Sequence, residues 1–491
     1  QNGFEDVDLC LRAREAGWRT YVANRSVVHH AVSASEGRGR FEYRNAKRFL
    51  KRWGPRTAAL ERFEERQQAR NFRRTRATDK SLPLEPPSVR ESREQIRQQS
   101  EARERKAQAP ATVWVDLLRM EPRGANGGIK PLVYGLLRAM EQLKWKPLQL
   151  VILAQEGLAA ELAFLSDATV VARRAQADWR IQLNDTKTES ISPAELESRH
   201  PPEVLYCPFG TSEFMRSNLP SVSLLVDALH RDLPAALPIE EVNFREDNFK
   251  RIIGSATWIQ TLAQHGVERL QHHYGLHPTR CFHTYAAVHG RLESKPANKP
   301  RPASLPTRPF FFYPANFWLH KNHEVLLAAY QLYRHRAGAA AWDLLLTGHP
   351  DARMQTLEQI SRSLGLADCV HFAGHLDHEA YIAVWQHAGA MVFPSLHEGF
   401  GIPIIEAFHS GLPVAASNAS VLPEVGGDAC AWFDPRDPAA VADTLATLAE
   451  DPALRDELRA KGKSRLPRFS LHFEASRLNH FLYAAARNLV P

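Results

Sequence analysis

Cysteine is scarce: five in 491 residues, at Cys10, Cys207, Cys281, Cys369 and Cys430, with no Cys-x-x-Cys pair and an odd total. That pattern argues against a disulfide framework and against a cysteine-ligated zinc site. Long apolar runs are missing too. None approaches the ~20 residues a membrane-spanning helix needs, and the first residues carry no signal-peptide pattern. The expectation is a water-soluble chain resident in the cytoplasm. Stacking aromatics do not organise the arginine-rich stretch from Arg38 to Lys106, which is interleaved with Glu and Gln. The formal charge of +7 therefore does not point to nucleic acid.

What is present is sufficient for ordinary cores: 44% of the residues are hydrophobic, and the length fits two to four domains. Residues 1–53 are already patterned, so the chain is expected to begin inside a domain. Residues 54–110 are rich in Arg, Glu and Gln and broken by Pro83, Pro86 and Pro87, which reads as a charged linker with little apolar surface to bury. From Thr112 a short strand pattern runs into Gly124, Asn126, Gly127 and Gly128, and then into Leu132, Leu136 and Met140 at helical spacing. Further strand patterns at 148–153 and 222–226 predict a parallel α/β sheet in residues 111–295. After Pro300 and Pro302 a second α/β series fills 300–468, with strands at 310–313, 344–347, 370–372, 391–393 and 414–416. An amphipathic helix closes the chain within 469–491.

The densest chemical pattern lies between Phe393 and Gly411, where Glu398 and Glu406 flank a turn held by Gly399 and Gly401. Such glycines let the backbone approach a ligand, and the unpaired amides opening the next helix carry the positive end of its dipole. An anion fits there. Two acceptor-only carboxylates on either side of it can take hydroxyl groups, so hydroxyl, phosphate, hydroxyl describes a nucleotide sugar. The plainer reading is a strand-to-helix turn with both glutamates solvated.

Glu398, Gly399-Phe400-Gly401 and Glu406 resemble the signature of retaining GT-B glycosyltransferases of glycosyltransferase family 4, and the resemblance covers residues 112–490. It implies two Rossmann-like domains facing a cleft, with the closing helix crossing back onto the first. By the same resemblance Glu398 faces the donor sugar, the amides of Gly399, Phe400 and Gly401 meet its hydroxyls and diphosphate, and Glu406 takes the ribose. Lys321 matches the basic residue that grips the diphosphate, while Asn316 stands where many members carry an arginine. His375 and Leu376 read the base through their backbone, and Asn418 and Glu424 lie on the diphosphate side. Gly127 and Gly128 match the first-domain glycine loop. Val226 replaces the histidine of a first-domain His-Asp motif, leaving Asp227 and a catalytic candidate, His230. The resemblance implies no metal and no cofactor. It implies a nucleoside-diphosphate sugar as donor and a saccharide or lipid-linked saccharide as acceptor, in surface polysaccharide assembly.

Three further expectations come from the remaining motifs. His320 and His323 lie three apart but lack the other ligands of a zinc site. Residues 1–53 resemble the tail of a GT-A glycosyltransferase of family 2, which casts Glu5 and Asp6 as the base pair and His30 as an aid to a metal-diphosphate, all inactive without the rest of that domain. The basic Arg38–Lys106 stretch leaves peripheral membrane contact open. A silent GT-B scaffold and a GT-B nucleotide-sugar epimerase stand as alternatives to a transferase.

Overall fold

A computed structural model describes residues 109–122, 128–175, 178–182, 188–286, 301–302 and 305–487. Glu5, Asp6, His30, Gly127, the family-2 resemblance and the Arg38–Lys106 stretch lie outside the described residues.

The first sheet holds β1 (Ala111–Asp116), β2 (Leu148–Gln155), β3 (Thr169–Ala175), β4 (Asp178–Gln182), β5 (Thr188–Ile191), β6 (Val204–Cys207), β7 (Ser221–Leu224), β8 (Trp258–Thr261) and β9 (Cys281–His283). Their order is β5-β4-β3-β2-β1-β6-β7-β8-β9. The expectation of a parallel sheet needs correction at one edge, because β4 runs antiparallel to both β3 and β5. Short connections from residue 175 to 178 and from 182 to 188 leave no room for a crossover helix, and antiparallel pairing needs none.

The second sheet holds β10 (Phe310–Pro314), β11 (Asp343–Thr347), β12 (Val370–Gly374), β13 (Ala390–Phe393), β14 (Val414–Ser417) and β15 (Cys430–Phe433), all parallel, in the order β12-β11-β10-β13-β14-β15. Phe310 to Tyr313 on the central strand are fully buried, as expected of a parallel strand covered on both faces. The chain runs outward one way from β10 through β11 to β12, then returns to β13 on the other side of β10. Loops leaving the carboxyl ends of β10 and β13 therefore diverge around a crevice, the place where parallel sheets take ligands.

The Leu471–Ala486 helix packs on the first sheet's side of the molecule. Phe481 stacks on Phe282 at 3.7 Å, Asn479 Nδ2 donates to the Trp145 carbonyl at 3.3 Å, and Arg487 reaches Glu203 at 2.7 Å. Among the described residues no helix is long and apolar enough to cross a membrane.

Candidate active site

Two loops meet at the switch point, and hydrogen bonds lace them together. Tyr313 at the end of β10 donates its hydroxyl to the Lys321 carbonyl at 2.7 Å and shares a contact with Ser395 Oγ at 3.2 Å. Leu396 donates its amide to the His320 carbonyl at 2.8 Å. Asn322, in the left-handed region at φ 64°, donates its side-chain amide to Pro394 and Pro435 carbonyls at 3.1 and 2.7 Å. The result puts Lys321 Nζ 2.6 Å from Glu398 Oε1, with the two side chains only 13% and 12% exposed.

Beyond Glu398 the chain turns at Gly401, whose φ of 95° suits a residue without a side chain, and enters the Ile402–Ser410 helix. No side chain caps that helix; of its first three residues Pro403 has no amide and Ile404 donates to the Gly401 carbonyl at 3.0 Å, which leaves the amide of Ile402. Glu406 sits in the same helix, buried, and accepts from the Tyr381 hydroxyl at 3.2 Å. Phe400 points its ring inward, 5.9 Å from both Tyr285 and Phe469, leaving its backbone to the site. Gly128, opening the Ile129–Glu141 helix of the first domain, faces Ile402 across the cleft; a Cβ added there would lie 3.6 Å from Ile402 Cδ1. His375 and Leu376 follow β12 just after Gly374, and Asn418 follows β14 exposed to solvent, with its amide bonded to the Phe433 carbonyl at 2.9 Å.

Several residues stand elsewhere than the sequence suggested. His230 is not at the cleft surface: its side chain is fully buried, bonded at 2.9 Å to the Tyr274 hydroxyl and packed 4.5 Å from the Phe249 ring. Burial pulls its pKa below the ordinary histidine value. Glu424 does not face the diphosphate side alone. Its carboxylate accepts the amides of Gln264 and His265 at 2.8 Å each and the Tyr285 hydroxyl at 3.0 Å, so a second-domain residue caps the Gln264–Tyr274 helix of the first. Asn316 uses its side-chain oxygen to accept the His349 amide at 2.8 Å, which shapes the loop after β11. The glycine at 399 makes room for protein: a Cβ there would lie 2.8 Å from both Val226 Cγ1 and the Val226 carbonyl.

The sequence reading missed the ring of polar side chains beside Glu398. Asp232, His397, Arg269 and His265 line a small pocket with Asp227 and Glu398. Burial alone raises the Asp232 carboxyl, but hydrogen bonds from His397, His273 and Arg269 outweigh it and hold the group well below the usual carboxylate range. His397 was legible as a neighbour of Glu398; its partner 165 residues earlier was not. Among the described residues no group of three or more His, Cys, Asp and Glu is placed to hold a metal ion.

Two predictions arise from these contacts. Glu424→Ala removes a helix cap shared between domains and should cost about 1–2 kcal/mol, read as a lower unfolding midpoint in denaturant. An unshifted midpoint would show that water replaces the cap at no cost. The second concerns pH. His320 is pulled down to about 4 and His323 to about 3, both first by burial, and neither His323 ring nitrogen has a hydrogen-bond partner between the Tyr313 and Phe317 rings. Unfolded, each protonates near ~6.5. Their folded values lie below that, so the unfolded chain binds more protons in between; stability is full above pH ~6.5 and falls as pH drops toward about 3. The melting temperature should decline across that window, and His323→Phe should flatten the decline. A parallel curve for the variant would remove His323 from the effect.

Comparison with known proteins supplies the class. Residues 294–465 match the family described as glycosyl transferases group 1, so the second half of the chain carries a glycosyltransferase group 1 domain. The fold is GT-B. A glycosyltransferase from Rickettsia africae superposes with a TM-score of 0.55 at 14% identity, over 77% of this chain and 99% of that one. Sucrose-phosphate synthase from Thermosynechococcus elongatus gives 0.55 at 19% identity, over 76% and 100%. Among curated proteins, the chain is 33% identical over 150 residues to O-antigen chain mannosyltransferase B of Escherichia coli, covering 30% of this chain and 39% of that protein. It is 31% identical over 163 residues to D-inositol 3-phosphate glycosyltransferase of Corynebacterium diphtheriae, covering 32% and 38%. The matches thus span well under half the length of these two curated relatives.

Proposed function

We propose that the chain is a retaining glycosyltransferase of family 4 that moves a hexosyl group from a nucleoside-diphosphate sugar to a saccharide or lipid-linked saccharide acceptor in surface polysaccharide assembly. One observation carries the reading: Lys321 and Glu398, from loops 77 residues apart, meet at 2.6 Å beside the uncapped start of the Ile402–Ser410 helix. A cation and the turn and helix-opening amides of Gly399, Phe400, Gly401 and Ile402 together form a seat for a diphosphate. Glu398, released from Lys321 when the diphosphate takes the cation, is free to hold the sugar. Glu406, oriented by Tyr381, takes the ribose hydroxyls, and the backbone at His375 and Leu376 borders the base. Asn418 and Gly128 line the two walls.

Charge growing on the leaving diphosphate is met by Lys321 and the Gly399–Gly401 amides. No protein nucleophile stands out at Glu398, which fits front-face attack with the leaving phosphate assisting removal of the acceptor proton. Mannose is the first sugar to try, because several relatives are named mannosyltransferases. We further propose that residues 1–53 are related to the C-terminal part of a family-2 GT-A domain.

The test is a thermal-shift panel of GDP-mannose, UDP-glucose and UDP-N-acetylglucosamine, followed by nucleotide release with and without acceptor. A ligand that binds the folded state raises the melting temperature. Stabilisation by one donor, with release that requires an acceptor, supports transfer. Release without acceptor favours an epimerase, and no binding to any donor favours a silent scaffold.

A further inference from the structure

Asp232 ends the short Leu229–Asp232 helix of the first domain and divides its two carboxylate oxygens between the domains. Oδ1 accepts from Arg269 Nε at 2.8 Å and meets His273 Nε2 at 2.6 Å, both on the first-domain helix Gln264–Tyr274. Oδ2 meets Nε2 of His397 at 2.9 Å, and His397 immediately precedes Glu398 in the second domain. The contact is nearly dry, with side chains 7% and 11% exposed. The same first-domain helix is gripped at its opening amides by Glu424 of the second domain. One helix is therefore tied to the second domain near both ends.

We propose that Asp232 is a positioning residue: through His397 it latches the Glu398 loop to the first domain and so fixes the closed cleft. The inference rests on the reading of that cleft as a nucleotide-sugar site. The loop is already held on its own side, where Ser420 Oγ accepts the Glu398 amide at 3.3 Å and donates to its carbonyl at 3.1 Å, and where Lys321 pairs with its carboxylate. Facing the first domain, Gly399 lies close enough to the Val226 carbonyl that an added Cβ would stand 2.8 Å from it, and a packing contact of that kind resists approach without resisting separation. The hydrogen bond from His397 to Asp232 supplies the pull. A buried carboxylate shared by an arginine and two histidines cannot lose one partner neutrally, because each unmet group keeps its desolvation cost. The cluster thus favours the geometry in which all of them meet, and that geometry sets the peptide of Glu398.

The experiment uses the full chain with His397→Ala, His397→Gln, Asp232→Asn and the Asp232→Asn/His397→Ala double variant. Backbone hydrogen exchange is followed without ligand. His397→Ala changes only the second domain, yet exchange should rise in residues 264–274 of the first; His397→Gln, which keeps an N–H near the same place, should restore most of the protection. With donor, a smaller closed fraction raises the apparent KM in inverse proportion, on the order of tenfold, while kcat at saturation stays within about twofold. The double variant should be no worse than the worse single one. Unchanged exchange in 264–274 for His397→Ala, additive effects in the double variant, or a loss confined to kcat would overturn the latch. Because exchange needs no ligand, an enzyme that binds no nucleotide sugar would sink the proposed function without deciding the latch.

Discussion

Lys321→Ala is expected to lower turnover by roughly 10²–10³ while leaving most of the folding stability, since loss of one preorganised charge donor typically costs that much in rate. The ammonium meets charge that grows as the sugar–phosphate bond breaks, so its largest contribution falls in the transition state. In the ligand-free chain the same group neutralises Glu398 at 2.6 Å, and both side chains keep a little over a tenth of their exposure. Removing it strands a mostly buried carboxylate at about 1–3 kcal/mol. Lys321→Ala/Glu398→Gln separates the two effects: the double variant should regain the stability and none of the rate. Melts in denaturant and steady-state turnover check both. Turnover within twofold of the parent would take Lys321 out of the chemistry.

Gly399→Ala should weaken donor binding by roughly tenfold to a hundredfold, within the range set by overpacking costs of about 1–3 kcal/mol at ~1.4 kcal/mol per decade. The new methyl group would stand 2.8 Å from the Val226 carbonyl and from Val226 Cγ1, and 3.3 Å from Asp227 Cβ. A side chain can turn aside, but a backbone carbonyl two residues past β7 moves only with its chain, so the loop or the whole domain must retreat. The strain sits between the domains and outside either core. The melting temperature should therefore move little while the apparent donor constant rises. Val226→Ala should rescue only part of the loss, because the carbonyl stays. A donor constant equal to the parent's would mean that the cleft works without this approach.

Much of the fold was legible. Strand patterns at 112–117, 148–153, 222–226 and the five in the second half fall on β1, β2, β7, β10, β11, β12, β13 and β14, because each is a short apolar run bounded by turn residues. The strands that escaped, β3, β4 and β5 among them, are mixed: Arg173, Arg174, Arg180 and Glu189 interrupt any apolar run. These strands form the open edge of the nine-stranded sheet, where polar side chains are tolerated.

The site was legible in its motif and illegible in its partners. Glu398, Gly401 and Glu406 could be read as one motif because nine positions of chain hold the whole turn and helix start. The partners of Glu424 and Asn316 were hidden because a polar residue near a strand end looks the same whether it awaits a ligand or caps a neighbour. The burial of His230 was hidden in another way: three residues after Asp227 in sequence, it turns with its short helix into the first-domain interior.

By itself the sequence determined what is short-ranged: the buried β10 run Phe310–Tyr313, the left-handed turn at Gly401, and the amphipathic helix that begins after Ser470, whose hydroxyl accepts the Phe473 amide at 3.4 Å. Those choices depend on sterics and hydrogen bonds within a turn or two of chain. Only the tertiary structure decided that Lys321 meets Glu398 across 77 residues, that His397 meets Asp232 across 165, and that Glu424 caps a helix 159 residues away. The physical reason is that a polar side chain has many acceptable partners at nearly equal energy. Which one it meets is set by strand order and domain docking, and these follow from many small apolar contacts summed over the whole chain.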